Sequence, residues 1–219
     1  MPELDQPGLP GRVQRLRAEL AQRDVVRLAR LSGARLLADR LLLDVWQAPV
    51  AVLLPDFVAY APAGEGELDL LTQAMVAYYL HTTDGTPPAG TWIAFTDLPD
   101  GRFYTQAFQG YTGRELARRF GNDLDAFGRV ALECGARPGD LGDATYQVWA
   151  LPHVPILAVA WQGDEDFPPS YQVLFDAHTH HHLPTDACAI LGSMFTRRLL
   201  AGQRSEPMPG GPLPMESRF

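Results

Sequence analysis

The stretch ATYQVWALPHVPILAVAWQGDEDFPPSYQVLF, residues 144–175, decides the fold. Ala144 to Leu151 and Pro155 to Trp161 alternate or run apolar, and only Pro152-His153-Val154 joins them, too short a link for anything but an antiparallel turn. After an acidic, proline-bounded loop, Tyr171 to Phe175 supplies a third strand. Three adjacent strands linked this tightly predict an antiparallel meander.

Outward from the meander, the other elements come in separate runs of strand and helix. Arg40 to Trp46 and Val50 to Leu54, parted by Gln47-Ala48-Pro49, read as a hairpin, Trp92 to Thr96 as a short strand, and Asp100-Gly101 as a turn into a return strand at Arg102 to Tyr104. Helical spacing marks Gly11 to Leu31, broken near Gln22 to Asp24, and Leu68 to His81 as a buried helix. Further helices are expected at Arg114 to Phe120, at Leu124 to Cys134 with Asn122 or Asp123 as cap, and over about 16 residues from a Thr185 cap to Gly202. Such segregation favours α+β over a doubly wound sheet. The expectation is a single α+β domain over residues 12–202, an antiparallel sheet of hairpins plus the C-terminal meander packed with about five helices. Residues 1–11 and the Pro/Gly-rich tail 203–219 are expected to be disordered.

Composition removes several chemistries. All 18 positive side chains are arginine, so neither a Schiff-base nor a P-loop lysine exists in this sequence. A net charge of -8 repels a phosphate backbone, and nucleic acid is not an expected partner. The N-terminal arginines, Arg12 to Arg35, spread around their helices and read first as a solvated face. Cys134 and Cys188 are far apart and belong to no C-x-x-C pattern, so this sequence cannot by itself ligate an iron–sulfur cluster or a four-thiolate zinc ion. Reduced thiols and the lack of a leader or an apolar span in the sequence suggest a cytoplasmic protein with no membrane partner. Rossmann, G-x-S-x-G, H-E-x-x-H and EF-hand patterns are all missing.

Two sets of residues are candidates for a site. The first is Asp176 with His178, His180 and His182: on a continuing strand, residues two apart share a face, so three imidazoles would meet one zinc, iron or copper ion beside the carboxylate. The competing reading is a polar loop leading into the last helix. The second set is His81, Asp84, Trp92, Tyr104 and Trp161, aromatic and polar groups near element ends, which suit the lining of a small-molecule or cofactor pocket and equally suit a packed core. The loop Gly163 to Pro169, with Asp164, Glu165 and Asp166, lacks the interspersed ligands of a calcium loop and reads as a solvated acidic turn.

The motifs Leu80-His81, Asp84-Gly85-Thr86-Pro87, Gly90-Thr91-Trp92-Ile93, Leu98-Pro99-x-Gly101-x-Phe103-Tyr104, Leu151-Pro152-x-Val154-Pro155, Trp161-x-Gly163-Asp164-Glu165-x-Phe167-Pro168-Pro169 and Leu174-Phe175-Asp176 occur in this order, followed by Leu183-Pro184. Together, over roughly residues 12 to 200, the chain resembles an uncharacterised prokaryotic domain-of-unknown-function family, some of whose members are joined to iron–sulfur domains or associated with corrinoid proteins. The resemblance implies no reaction. It implies that His178, His180 and His181 depart from the family pattern, and that any cluster chemistry would need a partner protein. The functions this leaves are a non-enzymatic small-molecule-binding module holding a corrinoid or other tetrapyrrole, a metal-dependent enzyme built on the His/Asp set, and a protein interaction module using the Arg-rich helices.

Overall fold

The computed structural model describes residues 8–61 and 66–202, so the disorder expected at residues 1–7 and 203–219 falls outside the described residues. Helix α1 (Leu9–Leu20) begins ahead of the boundary expected at residue 12, with a proline in its first turn, where the missing N–H has no helical partner to lose. Helix α2 (Val25–Ser32) is capped by the Asp24 carboxylate, which accepts from the Val26 and Arg27 amides, and it stops at Gly33 in the left-handed conformation.

The first sheet is an antiparallel meander of β1 (Arg35–Leu37), β2 (Arg40–Val45), β3 (Ala48–Leu53) and β4 (Val58–Tyr60), hydrogen-bonded in that order. The β2–β3 hairpin lies where the apolar runs place it, but it turns at Trp46-Gln47, and Pro49 sits inside β3 opposite Asp44. Both turn residues have positive φ, 52° and 63°. Tertiary contacts hold them there: Trp46 is buried and stacks on Phe195, while Gln47 Nε2 donates to the Gly135 carbonyl.

Helix α3 (Leu70–Thr82) is capped by Asp69 and buried at every position from Gln73 to Leu80. A helix apolar all round belongs inside the molecule, and α3 packs against α1, α2, β4 and helix α7 (Thr185–Ala201). Its buried polar group acts as a substitute strand: Gln73 Oε1 accepts from the Ala59 amide at 2.9 Å and Gln73 Nε2 donates to the Ala59 carbonyl at 2.8 Å. Gln73→Leu keeps the bulk but takes the acceptor from the Ala59 amide, while the Ala59 carbonyl keeps the Leu68 amide at 3.0 Å. It is expected to cost about 2 kcal/mol, read as a lower denaturant midpoint at unchanged slope.

The second sheet runs β5-β9-β8-β7-β6, with β5 (Trp92–Ala94), β6 (Arg137–Pro138), β7 (Ala144–Leu151), β8 (Val154–Trp161) and β9 (Ser170–Asp176), all antiparallel. It contains the expected meander. β8 is buried at every position up to Ala160 because both its faces are covered. Between β5 and β6 run 3-10 turns at Phe95–Asp97 and Gly101–Tyr104, then helices α4 (Thr105–Tyr111), α5 (Gly113–Phe120) and α6 (Leu124–Glu133).

The return strand expected at Arg102 to Tyr104 is therefore a 3-10 turn, and α4 has no counterpart in the sequence reading. The reason is a close approach: Asp100 takes a left-handed conformation, and Gly101 lies so tightly on the Phe95 carbonyl that any Cβ there would overlap it. The chain doubles back instead of extending. Phe95, Phe108 and Phe175 then form an aromatic core, with Phe95 and Phe108 stacked 4.2 Å apart. The Trp46 amide donates to the Ala150 carbonyl at 2.9 Å and ties the two sheets together.

Candidate functional site

The histidine tract does not continue β9. The strand ends at Asp176, and Thr179–His181 forms a 3-10 turn, so residues two apart no longer share a face. Asp176, 1% exposed, spends its carboxylate on the backbone: Oδ1 accepts from the Ala89 and His178 amides at 2.9 Å each, and Oδ2 accepts from Gly90 at 2.7 Å. The carboxylate expected as a metal ligand is thus engaged by three backbone amides. It is the staple that holds the loop ahead of β5 against the tract.

The imidazoles are held one by one. His178 Nδ1 donates to the Pro87 carbonyl and His180 Nδ1 to the Ala177 carbonyl, while His181 Nδ1 lies 2.8 Å from Asp84 Oδ2 and His182 Nδ1 2.8 Å from Thr83 Oγ1. Among the described residues, no group of three or more His, Cys, Asp or Glu side chains is arranged to hold a metal ion. Asp176, His178, His180 and His182 thus lie within one short segment without converging on one point.

The second expected set is dispersed as well. Trp92 pairs with Asp176 and Trp161 with Ser170, at opposite ends of β9, roughly 20 Å apart at strand rise. His81 Nε2 lies 2.7 Å from Glu19 Oε2 at the end of α3. Hydrogen bonds from Thr86, and the facing His181, hold the Asp84 carboxyl well below the usual carboxylate range. His81 and Asp84 border a small cleft of about 450 Å³ with Arg23 and Arg27, away from both tryptophans.

Tyr104 leads to a different site. It borders an open groove of about 950 Å³ between the Gly101–Tyr104 turn, α4 and the N-terminal end of α7. Phe95 and Leu183 form its floor, and Phe103, Tyr104, Tyr111 and His180 also line it. Phe103 is 83% exposed, Tyr104 63% and Tyr111 38%. Tyr111 packs edge-on against Phe108, whereas among the described residues neither Phe103 nor Tyr104 has a ring partner.

The groove is bordered by carboxylates of Asp100 and Asp186, and Asp186 Oδ2 accepts from Arg12 Nη1 at 3.0 Å. Of the residues expected from sequence, Tyr104 and His180 belong to it; Phe103 and Tyr111 were missed. Two adjacent aromatics directly after a tight Gly101 turn were the available signal. A crevice of about 650 Å³ between the two sheets presents Trp149 as its aromatic group and no histidine.

No strong nucleophile borders the groove. Burial pushes the Cys188 thiol far up, and burial also raises Cys134, so both stay protonated and weakly reactive. No helix among the described residues is long and apolar enough to cross a membrane.

Two antiparallel sheets covered by helices, with an open aromatic groove beside the last helix, define an α+β domain. The chain belongs to the family described as domain of unknown function DUF3786, whose model matches residues 24–198. No curated protein and no solved structure matches it.

Proposed function

We propose that this domain is a binding module that holds a flat or hydrophobic small molecule in the aromatic groove. The observation that supports this reading most is the outward display of Phe103 and Tyr104 over a concave floor. Exposed rings without ring partners leave apolar surface in water, and a planar guest would bury it on both rings at once. A groove of about 950 Å³ falls within the range of small-molecule clefts, about 300 to 1,000 Å³. A corrinoid or other tetrapyrrole is the specific guest to try first, because its flat, largely apolar ring system can cover several exposed rings of the lining at once.

Haem and cobalamin, titrated separately into the purified protein, are the probes. At least one is expected to show a saturating absorbance change in the micromolar range. Tyr104→Ala is expected to weaken that binding about tenfold, equivalent to about 1.4 kcal/mol, while the melting temperature stays within about 2 °C because the side chain is mostly exposed. His81→Ala lies outside the groove and serves as the control. Unchanged spectra at high micromolar protein, or binding indifferent to Tyr104→Ala, would reject the proposal.

A further inference from the structure

Part of the groove lining lies beside a single buried imidazole in the chain. His182 is 0% exposed, and its neighbours in the chain, His180 and Leu183, both line the groove. Thr83 Oγ1 donates to the Leu31 carbonyl at 3.2 Å and lies 2.8 Å from His182 Nδ1. With the Thr83 hydroxyl turned to Leu31 it accepts from His182, and in that arrangement the neutral ring carries its hydrogen on Nδ1 and leaves Nε2 a bare lone pair. That Nε2 is buried and has no hydrogen-bond partner. The neutral ring tolerates this, whereas a protonated ring would bury an unsatisfied N–H and a charge.

Of the groups around the ring, burial and the neighbouring histidines oppose a second proton, while the Thr86 backbone and Asp84 favour it more weakly. From α3, the Tyr79 ring stands 6.1 Å away with its hydroxyl committed to the Ser32 carbonyl. From the β7–β8 turn, His153 stands 5.3 Å away, and from the tract itself His181 stands 6.5 Å away. The one nearby carboxylate, Asp84, already faces His181 at 2.8 Å.

We propose that His182 is a pH-operated latch: neutral, it seats the tract and holds His180 and Leu183 in the groove lining, and protonated, it leaves its pocket and releases them. The latch rests on the reading of the groove as a ligand site, and it would couple ligand release to acidification. Burial first, and His153 second, depress the basicity of His182 to about 4, against the weaker pull of the Thr86 backbone and Asp84. An unlatched imidazole titrates near 6.5. Because the seated value is the lower one, the latch is at full strength above about pH 6.5 and weakens as pH falls towards 4. Between pH 7.5 and pH 5 the unlatched fraction should rise about 30-fold.

The test is amide hydrogen exchange on the ligand-free native protein, with rates corrected for the intrinsic effect of pH. The amides of His182, Leu183 and Cys188, which donate to Thr179, Thr179 and Pro184, are expected to lose at least about tenfold in protection at pH 5. Those of β8 should not change. His182→Asn retains a donor towards Thr83 but cannot titrate, and it should abolish the difference. Should that variant not fold, the native protein decides by itself: the His182 ring proton signal and the tract amides must shift with one common midpoint below pH 6. Unchanged protection at pH 5, an undiminished loss in His182→Asn, or separate midpoints would overturn the latch. No ligand enters this assay, so such a failure leaves the groove reading intact; failed probe binding at pH 7.5 counts against the groove alone.

Discussion

Asp176→Ala is expected to cost about 3 to 5 kcal/mol and to free the loop of residues 84–90 from the second sheet. The Asp176 carboxylate is buried and satisfies the amides of Ala89, Gly90 and His178 together. Hydrogen bonds to a charged acceptor contribute about 1.5 to 3 kcal/mol each, and removing the acceptor leaves three donors without partners. Water will reach some of them once the loop lifts, which holds the loss near the lower end of the sum. The denaturant midpoint should drop, with protection lost at Ala89, Gly90 and His178 before β8. Asp176→Asn should fall between, because an amide keeps one acceptor but points donors at Gly90. A loss under about 1 kcal/mol for Asp176→Ala would mean that the carboxylate is free for another task, and a ligand role would be open again.

Gly113→Ala should have an effect of similar size for a steric reason. α5 crosses β9 so closely that a Cβ at Gly113 would overlap the Tyr171 carbonyl and the Gln109 side chain. Overpacking against flexible side chains costs about 1 to 3 kcal/mol. A backbone carbonyl inside a sheet cannot step aside, so about 3 to 5 kcal/mol is expected, with a melting temperature lower by about 10 °C for a domain of this size. Gly110→Ala on α4 is the matched control. A Cβ there meets nothing within 4 Å, and the gain in helix propensity should leave the protein as stable or up to about 1 kcal/mol more so. Equal melting temperatures for the two variants would contradict the close packing of α5 on β9.

The meander was legible because its information is local. Alternation and short polar turns delimit β7 fully and β8 and β9 to a residue, and Asp123, Gly121 and Gly135 punctuate the helices where their chemistry predicts. What escaped depends on distant contacts. β1, β4 and β6 are two or three residues long and exist through hydrogen bonds to a neighbour, with no pattern of their own. Thr185 was expected to cap α7, but its hydroxyl donates to the Pro99 carbonyl and the helix starts without a side-chain cap.

The site was legible in part, for the same reason. Alternating histidines imply a shared face while the strand lasts, and Asp176 ends it by turning its carboxylate back to the His178 amide. Trp92 and Trp161 are proper aromatic candidates by type, yet antiparallel pairing sends them to opposite ends of β9. Tyr104 was found through its residue type. Phe103 escaped because exposure on a 3-10 turn follows no period that a sequence displays.

Helix α7 has a consequence for biosynthesis. It touches α3, α4, α5 and α6, and its Leu191, Phe195 and Leu199 fill the space between them. Both meanders can pair as they leave the ribosome, since each is stitched from neighbours in the chain. Until α7 emerges, however, Phe108 and Phe175 lack their cover, and a stalled or truncated product would present a sticky, chaperone-binding face despite two nearly complete sheets.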